Sequence, residues 1–198
     1  MKSTSRALGI VSALAVAAGV LVMADGSGIR AQELKDAEVF TATAANLSNI
    51  GTGRTSRVDV RITRWTTADE QEELRTVLVE NGVDGLYKAL QNAKSVGTIR
   101  VNDSLGWDLR YARSVTSGSG RRIVFATDRP ISAWEARNRP RTMDYKFTIG
   151  ELKVDGEGKG EGSLSPAVKV TYDNTDAVLE LETFASEPLR LLQVRKVK

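Results

Sequence analysis

The chain has 198 residues, with 28 Lys and Arg against 25 Asp and Glu, and it contains no His and no Cys. Those two side chains supply most proton shuttling near neutral pH, most thiol nucleophiles and most transition-metal ligands. Their absence excludes Ser-His-Asp and Cys-His catalytic sets, zinc sites built on His or Cys, haem on either residue, iron–sulfur clusters and disulfides.

The first feature along the chain reads as an export signal. Lys2 and Arg6 give a positive start, and Ala7 through Ala24 is an uncharged run of Ala, Val, Leu, Ile, Gly, Ser and Met. Asp25-Gly26-Ser27-Gly28 follows, and the small residues Ala24 and Ala31 are candidate cleavage points, with Ala31 favoured because it leaves room for a cleavage region. The alternative is an uncleaved membrane anchor, since about 18 apolar residues is the lower limit for spanning a bilayer. Richness in Ala and Gly makes the run a weak anchor. No Cys follows it for lipid attachment, and no Arg-Arg pair precedes it, which points to the general secretion route. Residues 1–31 are therefore expected to be a signal peptide and residues 32–198 one exported β-rich domain, periplasmic or extracellular.

Removing the leader takes away Lys2, Arg6 and Arg30 against Asp25, so residues 32–198 hold 25 basic and 24 acidic residues, a net charge of +1. That balance gives no global drive toward nucleic acid or an anionic membrane. With no disulfide available, stability has to come from a packed core, and about 167 residues suffice for one.

Period-two alternation dominates this region. A strand is predicted near Glu38–Ala45, and in Arg57–Arg64 the residues Val58, Val60 and Ile62 share one face. Thr67-Ala68-Asp69-Glu70 then reads as a capping box that opens a helix ending at Asn81-Gly82. A second helix is predicted from about Asp84 to Ala93, making an antiparallel helix pair. Strands follow near Gly97–Val101, at Trp107, Leu109 and Tyr111, and at Arg121–Thr127 after a hairpin turn at Ser117-Gly118-Ser119-Gly120. In 144–154, Tyr145, Phe147 and Ile149 fall out of phase with Leu152 and Val154, and a bulge at Gly150 would reconcile them. Strands at 162–173, 177–185 and 188–196 complete an expected meander. The fold class expected is α+β, mainly β: a curved antiparallel sheet or partly closed barrel of about nine strands, the helix pair covering one opening or face.

Known motifs are missing. Gly51-Thr52-Gly53 has GxG spacing, but Ser56 takes the place of the third glycine and a strand follows instead of a helix. The glycine-rich run from Asp155 has Lys159 and Pro166 where a calcium loop needs ligands. No GxxxxGK, GxSxG or SxxK occurs. No metal site and no cofactor are expected.

The one local oddity lies between Asp128 and Arg141, where Arg129, Arg137, Arg139 and Arg141 surround Trp134 and two Arg-Pro pairs stiffen the ends. Guanidinium forks suit carboxylate, sulfate or phosphate, and Trp134 offers a stacking face. The plainer reading is an interstrand loop whose arginines pair with surface carboxylates. Carboxylate catalysis is the one catalytic class left open. Glu180 and Glu182 share a strand face, and Asp59, Asp108, Asp128, Asp144 and Glu151 lie near strand ends or centres. The basic C-terminus, Arg195-Lys196-Val197-Lys198, reads as a guard for a strand edge.

The function expected is an exported, non-catalytic binding or envelope-interaction module, with a small apolar ligand, an anionic glycan or an envelope protein as partner. Nucleic acid is not expected, and contact with the membrane is expected only in passing, through the leader. The alternatives are a carboxylate-dependent glycoside hydrolase and a structural protein whose sheet pairs with another chain.

Overall fold

Among the described residues the chain forms ten strands and one helix: β1 (Glu38–Ala45), β2 (Thr55–Ile62), α1 (Ala68–Asn92), β3 (Gly97–Val101), β4 (Trp107–Leu109), β5 (Tyr111–Ser117), β6 (Gly120–Thr127), β7 (Phe147–Val154), β8 (Lys159–Asp173), β9 (Val178–Thr183) and β10 (Leu189–Lys196). The computed structural model describes residues 37–45, 55–102, 104–131, 144–173, 178–183 and 188–197.

Nine of the strands lie on one path, β4-β3-β2-β1-β10-β8-β7-β6-β5, and β9 pairs with β8 off that path. Every pairing is antiparallel. The path's two ends, β4 and β5, are separated in the chain by Arg110 alone, whose N–H bonds the Ala126 carbonyl on β6. The sheet therefore returns on itself as a nearly closed barrel, with its seam inside one bent stretch of chain. Its interior is filled by side chains, among them Phe40, Val60, Ile99, Phe125, Leu152 and Leu191.

Several expectations hold. Val58, Val60 and Ile62 are buried on one face of β2, and Ser117 pairs with Gly120 across a two-residue turn in which Gly118 has φ 58°. The capping box at Thr67 and Glu70 is formed in both directions.

The helix pair is found as one element, α1, broken at Gly82, which alone leaves helical geometry (φ 65°, ψ −164°). Arg64 donates to both the Glu70 carboxylate and the Lys94 carbonyl, so the chain turns back at Gly82 and brings the two ends of α1 together. Three expectations are corrected. The bulge at Gly150 does not form. Pairing of β6 with β7 runs unbroken from Arg121↔Val154 to Thr127↔Thr148. The phase change arises because β7 is covered on both sides, Leu152 and Val154 facing the barrel core and Phe147 and Ile149 facing α1. The meander fails at its last step. β9 and β10 both pair with β8, β10 with residues 159–164 and β9 with residues 168–173, while β10's other neighbour is β1. Finally, the basic C-terminus guards no edge, since β10 has neighbours on both sides and Lys196 pairs with Glu38.

Helix α1 thus lies over the outer face of the sheet. Leu90 joins Phe147, Val168 and Val170 in a second apolar cluster. Tyr87 meets Phe147 edge to face, ring centroids 5.7 Å apart. Lys146 sits 5.1 Å from the Tyr87 ring centre and 2.7 Å from the Asp84 carboxylate, fastening the helix beyond its kink.

Candidate functional site

Between α1 and the sheet lies a cavity of about 110 Å³. The helix kink divides its roof: Leu74 and Leu78 come from the first half, Leu86 and Leu90 from the second. Its floor is the outward row of the sheet, with Ala126 of β6 and Ile149 of β7 beside Leu179 and Leu181 of β9. Ala126 and Ile149 are register partners, so a short side chain sits beside a long one and leaves volume above it. Gln71, Arg75 and Tyr111 are the polar residues of an otherwise apolar lining. Burial pushes the Tyr111 hydroxyl above its usual pKa, and the Arg113 charge opposes that shift. Arg113 itself follows Tyr111 on the same face of β5, opposite Val124 of the cavity lining. Its Nη1 is buried without a hydrogen-bond partner among the described residues.

The arginine-rich segment is only partly described. Arg129 is exposed, and its carbonyl accepts a hydrogen bond from the Thr127 hydroxyl. The buried Thr148 hydroxyl donates to the Pro166 carbonyl at 2.7 Å and accepts from the Ile131 N–H at 2.9 Å. This polar knot draws Ile131 into the barrel core. Trp134, Arg137, Arg139 and Arg141 lie outside the described residues.

The carboxylates singled out from the sequence are spread around the sheet, and most of them hold cations. Asp59 pairs with Arg57 at 2.9 Å. Asp108 and Asp128 share Arg110 at 3.5 and 3.3 Å. Glu151 takes Arg122 at 2.8 Å and Lys153 at 3.7 Å. Asp144 is exposed. Glu180 and Glu182 stand on the exposed face of β9, opposite Leu179 and Leu181, and Glu182 accepts the Tyr145 hydroxyl at 2.7 Å. Among the described residues, where a carboxyl pKa is displaced, at Glu70, Glu72 and Asp84, the direction is downward, through hydrogen bonds from Arg64, Arg75 and Lys146 respectively. A glycosidic general acid needs the opposite shift.

The sequence did carry one trace of the cavity. The phase break between Ile149 and Leu152 marks a strand buried on both faces, and hence a second apolar layer. Comparison with protein families, curated proteins and solved structures finds no match for this chain.

Proposed function

We propose that the chain is an exported, non-catalytic β-rich binding module whose ligand is a small apolar molecule held between α1 and the outer face of the sheet. The observation that carries this reading is the apolar cavity of about 110 Å³ under the kinked helix. An engineered cavity of about 150 Å³ lined by Leu, Ile and Phe stays dry and binds benzene, so the volume here suits a group of roughly six carbons or fewer. The barrel interior is occupied by the protein's own side chains. A ligand is therefore assigned to the outer layer, where Leu179 and Leu181 remain only half-buried.

Export rests on residues 1–31, with cleavage after Ala31; mass spectrometry of the secreted protein tests it, and an N-terminus at Met1 overturns it. The ligand reading is tested by thermal shift and proton NMR with benzene, 1-hexanol and hexanoate. Saturable stabilisation of about 1–2 kcal/mol is expected for at least one probe. Ala126→Leu fills the floor of the cavity and should abolish the response. An equal response in that variant, or none up to the solubility limit of all three probes, overturns the reading. A preference for hexanoate over 1-hexanol would bring Arg113 into the site.

A further inference from the structure

The outer face of β1, β2 and β3 gathers positive charge. Strand register places Arg195, Thr41, Asp59 and Arg100 in one row across β10, β1, β2 and β3. Arg57 and Arg61 flank Asp59 on the same face of β2, because side chains two residues apart along a strand point the same way. Four guanidinium groups thus stand around one carboxylate, and Asp59 pairs with Arg57. Arg61, Arg100 and Arg195 are exposed, and none of the three forms an ion pair among the described residues. Arg100 donates from Nε to the Ser104 carbonyl at 3.2 Å. A body with a net charge of +1 over residues 32–198 has concentrated about three positive charges on one face. With a screening length of about 8 Å at physiological salt, that local excess governs what the face attracts.

Apolar groups stand among these charges. Leu105, in the connection between β3 and β4, is 99% exposed, and Val197 is 59% exposed. Both border a single shallow depression together with Val39, Arg57, Arg61 and Arg100. The Val197 N–H bonds the Val39 carbonyl at 2.8 Å, which fixes the chain's last described residue against the start of β1. Next to Leu105, Gly106 has φ 90°, and a Cβ there would come within 2.9 Å of Arg100 Cγ. The connection is therefore pressed onto the arginine while Leu105 projects into solvent. Asp103 of the same connection lies outside the described residues.

We propose that this face docks on an anionic lipid bilayer, the arginines meeting headgroup phosphates and Leu105 with Val197 entering the acyl boundary. Charge complementarity alone would also suit a sulfated or carboxylated polymer. A fully exposed leucine beside the arginines favours the bilayer, because only an apolar phase rewards its transfer from water. The reading is independent of the cavity under α1, which lies on another part of the sheet.

The test is co-sedimentation of the secreted, processed protein with vesicles of phosphatidylglycerol and phosphatidylcholine, and with phosphatidylcholine alone, at low and high salt. Binding to the anionic vesicles is expected, with little to the neutral ones and a decline as salt rises. Each arginine near such a surface is worth about a fivefold change in partitioning, so R61E/R100E should reduce binding by at least about 25-fold. L105D should reduce it by about tenfold. All three positions are exposed, and unchanged circular dichroism and benzene response would confirm that fold and cavity survive. Equal binding to neutral and anionic vesicles, or retained binding by R61E/R100E, overturns the proposal. So does an unchanged L105D that binds dextran sulfate better than vesicles, which would assign the face to an acidic polymer.

Discussion

The Phe125 ring lies directly against Gly150, its register partner on the neighbouring strand, so close that a Cβ at position 150 would stand 2.1 Å from Phe125 Cζ. The aromatic ring occupies the space that any side chain there would need. Gly150→Ala should therefore destabilise the barrel by about 1–3 kcal/mol through overpacking. Adding Phe125→Leu should recover part of the loss, a coupling that a double-mutant cycle in urea measures. Equal stability of wild type and Gly150→Ala would contradict this packing.

The kink at Gly82 calls for a second substitution. Its φ of 65° with ψ of −164° belongs to a region essentially reserved for glycine. Space is not the constraint, since a Cβ there would meet nothing within 4 Å. Gly82→Ala should cost about 1–3 kcal/mol by thermal denaturation, through backbone strain alone. Any relief by reorienting the two halves of α1 would move Leu86 and Leu90 relative to Leu74 and Leu78, and the response to apolar probes should weaken in parallel.

Glu38 and Arg121 form a third test. Glu38 is 3% exposed, and its carboxylate takes both Arg121 nitrogens at 3.2 and 2.8 Å and Lys196 at 3.3 Å. β1 and β6 are not neighbours in the sheet, so this pair bridges the barrel from strand to strand. Arg121→Ala leaves a buried carboxylate with only Lys196 beside it, and a loss of about 3 kcal/mol is expected. Removing both partners in E38L/R121L should cost clearly less. Chemical denaturation of the wild type and the two variants decides the matter.

Acid should weaken the start of α1. Arg64's hydrogen bond to the Glu70 carboxylate, at 2.9 Å, is the largest cause of a pKa held below the ordinary value of 4.5, and the capping contacts with Thr67 act in the same direction. A depressed carboxyl pKa contributes stability that is present above the unfolded value and disappears as pH falls through the folded one. The Glu70 side chain is 38% exposed, so the contribution is below about 1 kcal/mol. Glu70→Gln keeps the cap geometry but not the charge. It should lower stability slightly at pH 7 and make no difference at pH 2–3, giving a flatter dependence of melting temperature on pH.

How much of this was legible depends on the range of the interaction. Val58, Val60 and Ile62 announce a strand because each faces the same core, and Thr67 with Glu70 announces a helix start because the cap is closed within four residues. Asn81-Gly82 announced where the first helical stretch stops and the chain turns back, because the signal is again local. Phe147 and Ile149 carried the signal of a second layer, which a one-layer reading turned into a bulge. The cavity left little trace, since Leu74, Ala126 and Leu181 come from distant parts of the chain and each looks like an ordinary core residue. The basic face is likewise assembled by register: Arg61 and Arg100 become neighbours only when β2 pairs with β3.

The seating of β10 between β1 and β8 has a consequence for how the molecule is made. A polypeptide delivered N-terminus first pairs β1 with β2 early, but the other side of β1 stays unsatisfied until β10 arrives. Closure of the sheet is therefore held back through most of synthesis. Under the export proposed above, that delay favours passage through a narrow translocation channel, which an open chain threads more readily than a closed sheet.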